Sequence, residues 1–144
     1  MIGIDTNVLT YALDPTFTEH AAAKRAILSS GDWAVNPTVV QECYHTLVFD
    51  RKIAPADAKV KIVEFLRGKR TVFLNLTRNT SLLALDLAAK MNLGGRDSLI
   101  LACYLQHHVP QIYSHDQELV RLRKITAKGT ETRITDPLKP KTQA

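Results

Sequence analysis

Cysteine is scarce in this chain, and its placing argues against a cross-linked scaffold. Only Cys43 and Cys103 occur in 144 residues. Both fall in apolar stretches of helical periodicity, the setting of reduced core residues. No spacing of cysteine or histidine suggests a zinc site. Long apolar runs are lacking too. None approaches the roughly 20 residues that cross a bilayer, and the best, SLLALDLAA, is broken by Asp86. The opening MIGID has no basic region ahead of an apolar segment, so no signal peptide is expected. These absences point to a reduced, cytoplasmic protein without membrane attachment. Repeats and long linkers are missing as well, which leaves one domain of ordinary size. Acids are outnumbered, 14 against 19 lysines and arginines, giving a net charge of +5. That balance is compatible with a polyanionic partner such as nucleic acid. It says more if the few acids gather at one spot.

What is present is an alternation of strand-like and helix-like segments. MIGID reads as a first strand, followed by the helix-like NVLTYAL. EHAAAKRAILSS predicts a helix with Ile27 and Leu28 on its apolar side. WAVN is a second strand, stopped by Pro37. Thr38 opens a helix, with Gln41 in capping-box spacing and Val39, Val40, Cys43, Tyr44, Leu47 and Val48 at helical intervals. Residues 55–68 form another helix with Val60, Val63 and Leu66 apolar. TVFLNL is a third strand. Thr80 caps a helix that runs to about Met91 and ends at Asn92–Gly95. RDSLILACYLQHH is a compact apolar helix, QIYS a fourth strand, DQELVRLR a short helix and TRIT a last edge strand. The domain is expected to span 1–136, with 137–144 a flexible Pro- and Lys-containing tail. Such alternation predicts a three-layer α/β/α sandwich around a central parallel sheet.

In sheets of that kind, groups just beyond the carboxyl ends of the strands share one crevice. Asp5 ends the first strand and Asp116 follows the fourth, so both point to the same edge. Asp97 starts the SLILACYL helix. Glu42 is placed in the first turn of the Thr38 helix, where the helix dipole favours an acid. Each has a plainer reading: a helix cap for Asp5 or Asp116, a solvated first-turn acid for the other two. If all four meet, they need a counter-charge. Magnesium or manganese suits an all-oxygen site. Such a site can bind a phosphodiester, lower the pKa of a bound water and stabilise the leaving oxygen. The basic exterior would hold the rest of the nucleic acid.

IDTNVL at 4–9, PTVVQE at 37–42, GRDSLILA at 95–102 and SHDQEL at 114–119 resemble, in order, the four acidic motifs of PIN-domain nucleases. The resemblance covers Met1 to about Thr135, and the size and lone-domain form look most like the VapC-type toxins of toxin–antitoxin pairs. It implies a Mg²⁺- or Mn²⁺-dependent endoribonuclease that hydrolyses RNA phosphodiesters, forms a homodimer and is blocked by a cognate antitoxin protein. It implies Asp5, Glu42, Asp97 and Asp116 as the catalytic, metal-holding acids. Thr6 and Asn7 match the small polar supports beside the first acid, and Ser114 stands where the family usually has Thr. Glu118 and Leu119 depart from the Asp and Phe often found after the fourth acid, which leaves Glu118 a candidate ligand only. Two rival readings stay open: a PIN nuclease for RNA processing or DNA without an antitoxin, and a non-catalytic acidic-groove binding module.

Other residues carry weaker signals. Arg96 and His115 adjoin the acids and are candidates for touching phosphate or steering a water. Arg51, Lys52, Lys69, Arg70, Arg121, Arg123, Lys124 and Lys128 are candidate phosphate contacts, with ordinary solvation the plainer reading of each. Tyr11 is the aromatic most suited to stack on a base. Trp33 reads as core, and His107 and His108 as the cationic close of a helix.

Overall fold

The computed structural model describes residues 1–138. β1 (Ile2–Ile4) feeds α1 (Thr6–Leu13) and α2 (His20–Leu28); β2 (Trp33–Val35) feeds α3 (Pro37–His45), which runs on into a π-helical turn at Thr46–Asp50. Then come α4 (Pro55–Leu66), β3 (Thr71–Phe73), α5 (Arg78–Met91), α6 (Gly95–Gln106), β4 (Gln111–Tyr113), α7 (Gln117–Val120), β5 (Lys124–Ala127) and β6 (Thr130–Thr135). One sheet has the order β3-β2-β1-β4-β6-β5. Every pairing is parallel except β5 with β6. The sheet is mostly parallel and flanked by helices, as the alternation predicts.

The central strands are short and apolar because both faces are covered. Ile2, Gly3 and Ile4 are all buried. Gly3 makes room for α6: a Cβ built there would lie 2.9 Å from ring atoms of Tyr104. That ring cannot retreat. Its hydroxyl donates to the carbonyls of Ile4 at 2.6 Å and Ala34 at 3.1 Å, tying α6 to β1 and β2. Gly3→Ala is therefore expected to destabilise the fold by about 1–3 kcal/mol through overpacking. A lower urea midpoint with an unchanged slope would show it.

Four sequence expectations are corrected by the backbone. First, α3 begins at Pro37, not Thr38. Asn36 is its cap, its side chain accepting from Val39 N at 3.1 Å, and proline suits the first helical position. Gln41 is exposed and closes no capping box, and Glu42 falls in the second turn, beyond the dipole's main reach. Second, Thr77 caps α5, while Thr80 sits three residues on and reciprocates by accepting from Thr77 N at 3.0 Å. Third, α7 stops at Val120, and β5 follows as a strand not foreseen. Its hairpin turns on Lys128 and Gly129, with φ of 51° and 80°, the paired left-handed conformations of a tight two-residue turn. TRIT thus lies inside the sheet, between β4 and β5. Fourth, Leu28 and Val60 are 53% and 55% exposed. The buried positions of α4 are Ala58 and Ile62.

Cys43 and Cys103 are buried and unbonded. Among the described residues no helix is long and apolar enough to cross a membrane. At the carboxyl end, Leu138 N donates to Asp136 Oδ1 at 2.9 Å. The rest of the tail, 139–144, lies outside the described residues.

Candidate active site

The strand order reverses between β1 and β4: α1 and α2 carry the chain from β1 to β2 on one side, while α5 and α6 bring it back to β4 on the other. A doubly wound sheet opens a crevice at the carboxyl side of such a point. Asp5 leaves β1 there, its backbone N donating to Tyr113 O at 3.0 Å. The residue is 5% exposed. Oδ1 accepts from Thr6 N at 2.8 Å, which caps α1, and Oδ2 accepts from the Ser114 hydroxyl at 2.6 Å. Ser114 Oγ in turn accepts from Asp116 N at 3.1 Å. One hydroxyl thus ties the acid after β1 to the loop after β4. Asn7 adds a second tie, its Oδ1 accepting from His115 N at 3.2 Å. The cap reading of Asp5 and its site reading are therefore compatible.

Asp97 lies in the first turn of α6. Glu42 reaches in from α3, with Thr6 Oγ1 donating to its Oε1 at 3.4 Å. Asp116 caps α7 by accepting from Glu118 N at 2.9 Å. These four acids line one cleft of about 340 Å³ together with Thr6, Asn7, Thr10, Tyr11, Phe17 and Thr46. No lysine or arginine is among those lining groups. A larger hollow of about 580 Å³ lies beside Asp14, Asp57 and Glu64, but Arg51 and Lys61 share its lining. Charge, not size, distinguishes the cleft at the sheet rim.

That crowding shows in the protonation energetics. Burial pushes Asp5 from its ordinary 3.8 up to about 6, against the Ser114 and Thr6 hydrogen bonds and with help from Asp97 and Asp116. Burial also raises Asp97, with Asp116 and Glu118 adding and Arg96 opposing. Glu42 is raised by burial and by Asp97, against Arg96 and the Thr6 hydrogen bond. Arg96 Nη1 lies 3.4 Å from Glu42 Oε2, but its side chain is 77% exposed and balances little. The donors are all oxygen, the chemistry that a hard divalent cation prefers. Among the described residues no group of three or more His, Cys, Asp or Glu side chains stands placed to hold a metal ion by itself. An open, carboxylate-lined cleft suits magnesium or manganese, which keep waters and share their shell with substrate phosphate, better than zinc.

Several flagged residues have other work. Arg51 Nε is 3.1 Å from the buried Asp14 Oδ2, and its guanidinium lies 3.8 Å over Phe17. Arg70 donates to the Leu28 and Gly31 carbonyls and lies 4.7 Å from the Trp33 ring centre. Both are fasteners rather than free phosphate contacts. His107 Nδ1 donates to the Cys103 carbonyl at 2.8 Å. Glu118 is exposed and outside the cleft lining. His115 Nδ1 is 2.9 Å from Asp136 Oδ2. Sequence reasoning missed Asp14, Phe17 and Asp136. For Asp136 the available signal was an acid directly after the last strand, the same placement as Asp5 after the first.

The sequence model of the PIN domain matches residues 2–125. No curated protein matches the chain in sequence. Among solved structures, the chain is similar to Mycobacterium tuberculosis VapC20, a toxin that cleaves the sarcin–ricin loop. The TM-score is 0.70 at 17% identity, over 81% of this chain and 90% of that one. VapBC2 from Rickettsia felis, bound to a DNA fragment from its promoter, gives 0.63 at 15% identity, over 84% and 92%. FitAcB from Neisseria gonorrhoeae gives 0.61 at 17% identity, over 95% and 98%. At these identities the likeness concerns the fold.

Proposed function

The chain belongs to the PIN-domain family, and from that premise we propose that it is a Mg²⁺- or Mn²⁺-dependent endoribonuclease, the toxin of a toxin–antitoxin pair. The observation that carries the nuclease reading is the cleft itself. Four carboxylates from four distant segments line it, with no cationic side chain among them. Toxin status is supported by the likeness in fold to VapC20, a toxin that cleaves the sarcin–ricin loop. The cytoplasmic setting, the homodimer, the antitoxin protein and a nuclease domain over 1–136 belong to the same proposal. A non-catalytic groove for a basic peptide would need negative charge but not the reinforced placement of Asp5.

Asp5, Asp97, Asp116 and Glu42 would hold the cation, which supplies charge neutralisation and a more acidic water when bound. The protein's own part is orientation. Thr6 N and Ser114 Oγ fix both oxygens of Asp5, so its lone pairs keep one direction toward the cleft. Asn7 holds the loop that carries Asp116. The basic exterior attracts the polyanion, while the acidic cleft excludes bare phosphate until positive charge is present. Water attacks phosphorus directly and gives up a proton to solvent, the P–O bond to the leaving ribose oxygen breaks, that oxygen takes up a proton, and no side chain forms a covalent intermediate.

The test is cleavage of end-labelled RNA by the purified chain with Mg²⁺ or Mn²⁺, run beside EDTA and beside single-stranded DNA. RNA cleavage that EDTA abolishes is the expected result. Cleavage indifferent to EDTA, or confined to DNA, overturns the reading. Growth arrest on expression, relieved by co-expressing a small neighbouring gene, tests the toxin assignment. In the same assay Ser114→Ala is expected to slow single-turnover cleavage about 10- to 100-fold, the range for partners that orient metal-site groups. Ser114→Thr, which keeps the hydroxyl, is expected to stay near wild type.

A further inference from the structure

We propose that Tyr11 and Phe17 form a stacking wall for one unpaired nucleobase beside the scissile phosphodiester, an inference that rests on the nuclease reading above. The cleft changes character along α1. Asp5 stands at the helix start, and Tyr11 follows six residues on, about 9 Å along the axis at 1.5 Å per residue. That is within one nucleotide's reach. Tyr11 and Phe17 line the same cleft as the acids. Their rings meet edge to face, with centroids 4.9 Å apart and planes at 71°.

Both rings are braced from outside the cleft. The Arg51 guanidinium lies 3.8 Å over the Phe17 ring, and Arg51 is not among the cleft's lining groups. It is fixed in turn by the buried Asp14 at 3.1 Å and by Thr16 Oγ1 at 2.6 Å. Tyr11 also meets the His115 ring, with centroids 5.9 Å apart at 72°, and His115 is held by Asp136 at 2.9 Å. A core aromatic needs no such bracing, because packing on all sides fixes it. These two rings are only partly buried and stand on the wall of a polar cleft. Rigid aromatic surface beside a phosphate site suits a base, which every nucleotide offers as a π-face. Bases are free to stack on protein only where the strand is unpaired or looped. The wall therefore selects single-stranded or loop RNA over a continuous duplex.

The test uses full-length protein carrying Asp5→Asn, with and without Tyr11→Leu and Phe17→Leu, which keep apolar bulk but remove the rings. The probes are single-stranded RNAs with 2-aminopurine or an abasic residue walked along the strand, with the matching duplex as control. Binding is expected to quench 2-aminopurine at one position, and the double Leu variant to relieve that quench and weaken binding about tenfold. An abasic residue at that position should cost a similar factor in the ring-bearing protein and nothing further in the Leu variant. Tyr11→Phe should retain the quench. Equal weakening on intact and abasic RNA, or no position-specific quench, overturns the inference. Cleavage of RNA by the chain with native Asp5 is scored separately. Cleavage without the ring–base coupling removes the stacking wall and leaves the nuclease. Absence of any RNA cleavage by the chain with native Asp5 removes the nuclease reading, and absence of RNA binding by that same chain with Mg²⁺ present removes both.

Discussion

Asp5→Asn is expected to cut single-turnover RNA cleavage by at least about a hundredfold and to leave the fold intact. A hundredfold is the upper range for losing a mere outer-shell partner. Asp5 has a closer role, with its carboxylate buried, doubly hydrogen-bonded and set among the other acids of the cleft. The substitution keeps the shape and leaves one carbonyl oxygen to accept from Thr6 N, so the cap of α1 survives. It removes the negative charge that a cation needs. Asp97→Asn should act in the same direction. Asp86→Asn, on an exposed position of α5, should cleave as wild type does. Thermal unfolding run beside the assay separates lost chemistry from lost structure. An Asp5→Asn protein that folds and still cleaves within a few-fold of wild type would remove Asp5 from the site.

Much of this site was legible because it depends on order along the chain. A parallel sheet places whatever follows its strands at one rim, and short apolar runs ending in Asp5 and in Ser114–Asp116 announce themselves. Asp97 was equally plain as a first-turn acid after a double glycine. Glu42 was found for a wrong reason: Asn36 and Pro37 start α3 earlier than Thr38, so the dipole argument fails, and the acid reaches the cleft from the second turn. The β5–β6 hairpin was hidden because VRLR continued a helical pattern past Val120. Only the left-handed pair Lys128–Gly129 marks the turn. Leu28 and Val60 show the limit of periodicity, which finds an apolar stripe but not which edge of it the core covers. Least legible were the fasteners. Asp14 with Arg51, and His115 with Asp136, are pairs separated by 37 and 21 positions. No local rule couples such positions, and nothing in the local sequence singles out Arg51 from the exposed basic residues.

The cation-free protein is expected to lose stability as the pH rises from about 4 to 7, and divalent cation is expected to restore it. Asp5 has an ordinary value of 3.8 and stands at about 6 in the fold. The folded chain therefore holds that proton more tightly than the unfolded chain does. The resulting stabilisation is complete below pH 3.8 and is lost as the pH climbs through about 6. Its size is on the order of 3 kcal/mol, at about 1.36 kcal/mol for each tenfold change in proton affinity. Asp97 and Glu42 are raised as well and act with the same sign. Asp14 acts oppositely. Burial pulls it up, but Thr16 and Arg51 outweigh burial and hold it low. Its contribution is present above 3.8 and fails only as the pH falls below that, so the two windows do not overlap. At pH 7.5, above the value of about 6 for Asp5, that carboxylate is charged in the fold, and Mg²⁺ at a hundred times its dissociation constant should return about 2.7 kcal/mol. The melting temperature should then rise by several degrees. At pH 5, below that value, a proton competes with the cation for Asp5, and the shift should shrink. Asp5→Asn should flatten the slope between pH 4 and 7 and reduce the Mg²⁺ shift together, because one carboxylate underlies both. A slope that survives Asp5→Asn, or a Mg²⁺ shift of equal size in wild type and variant, would place the cation elsewhere than in this cleft.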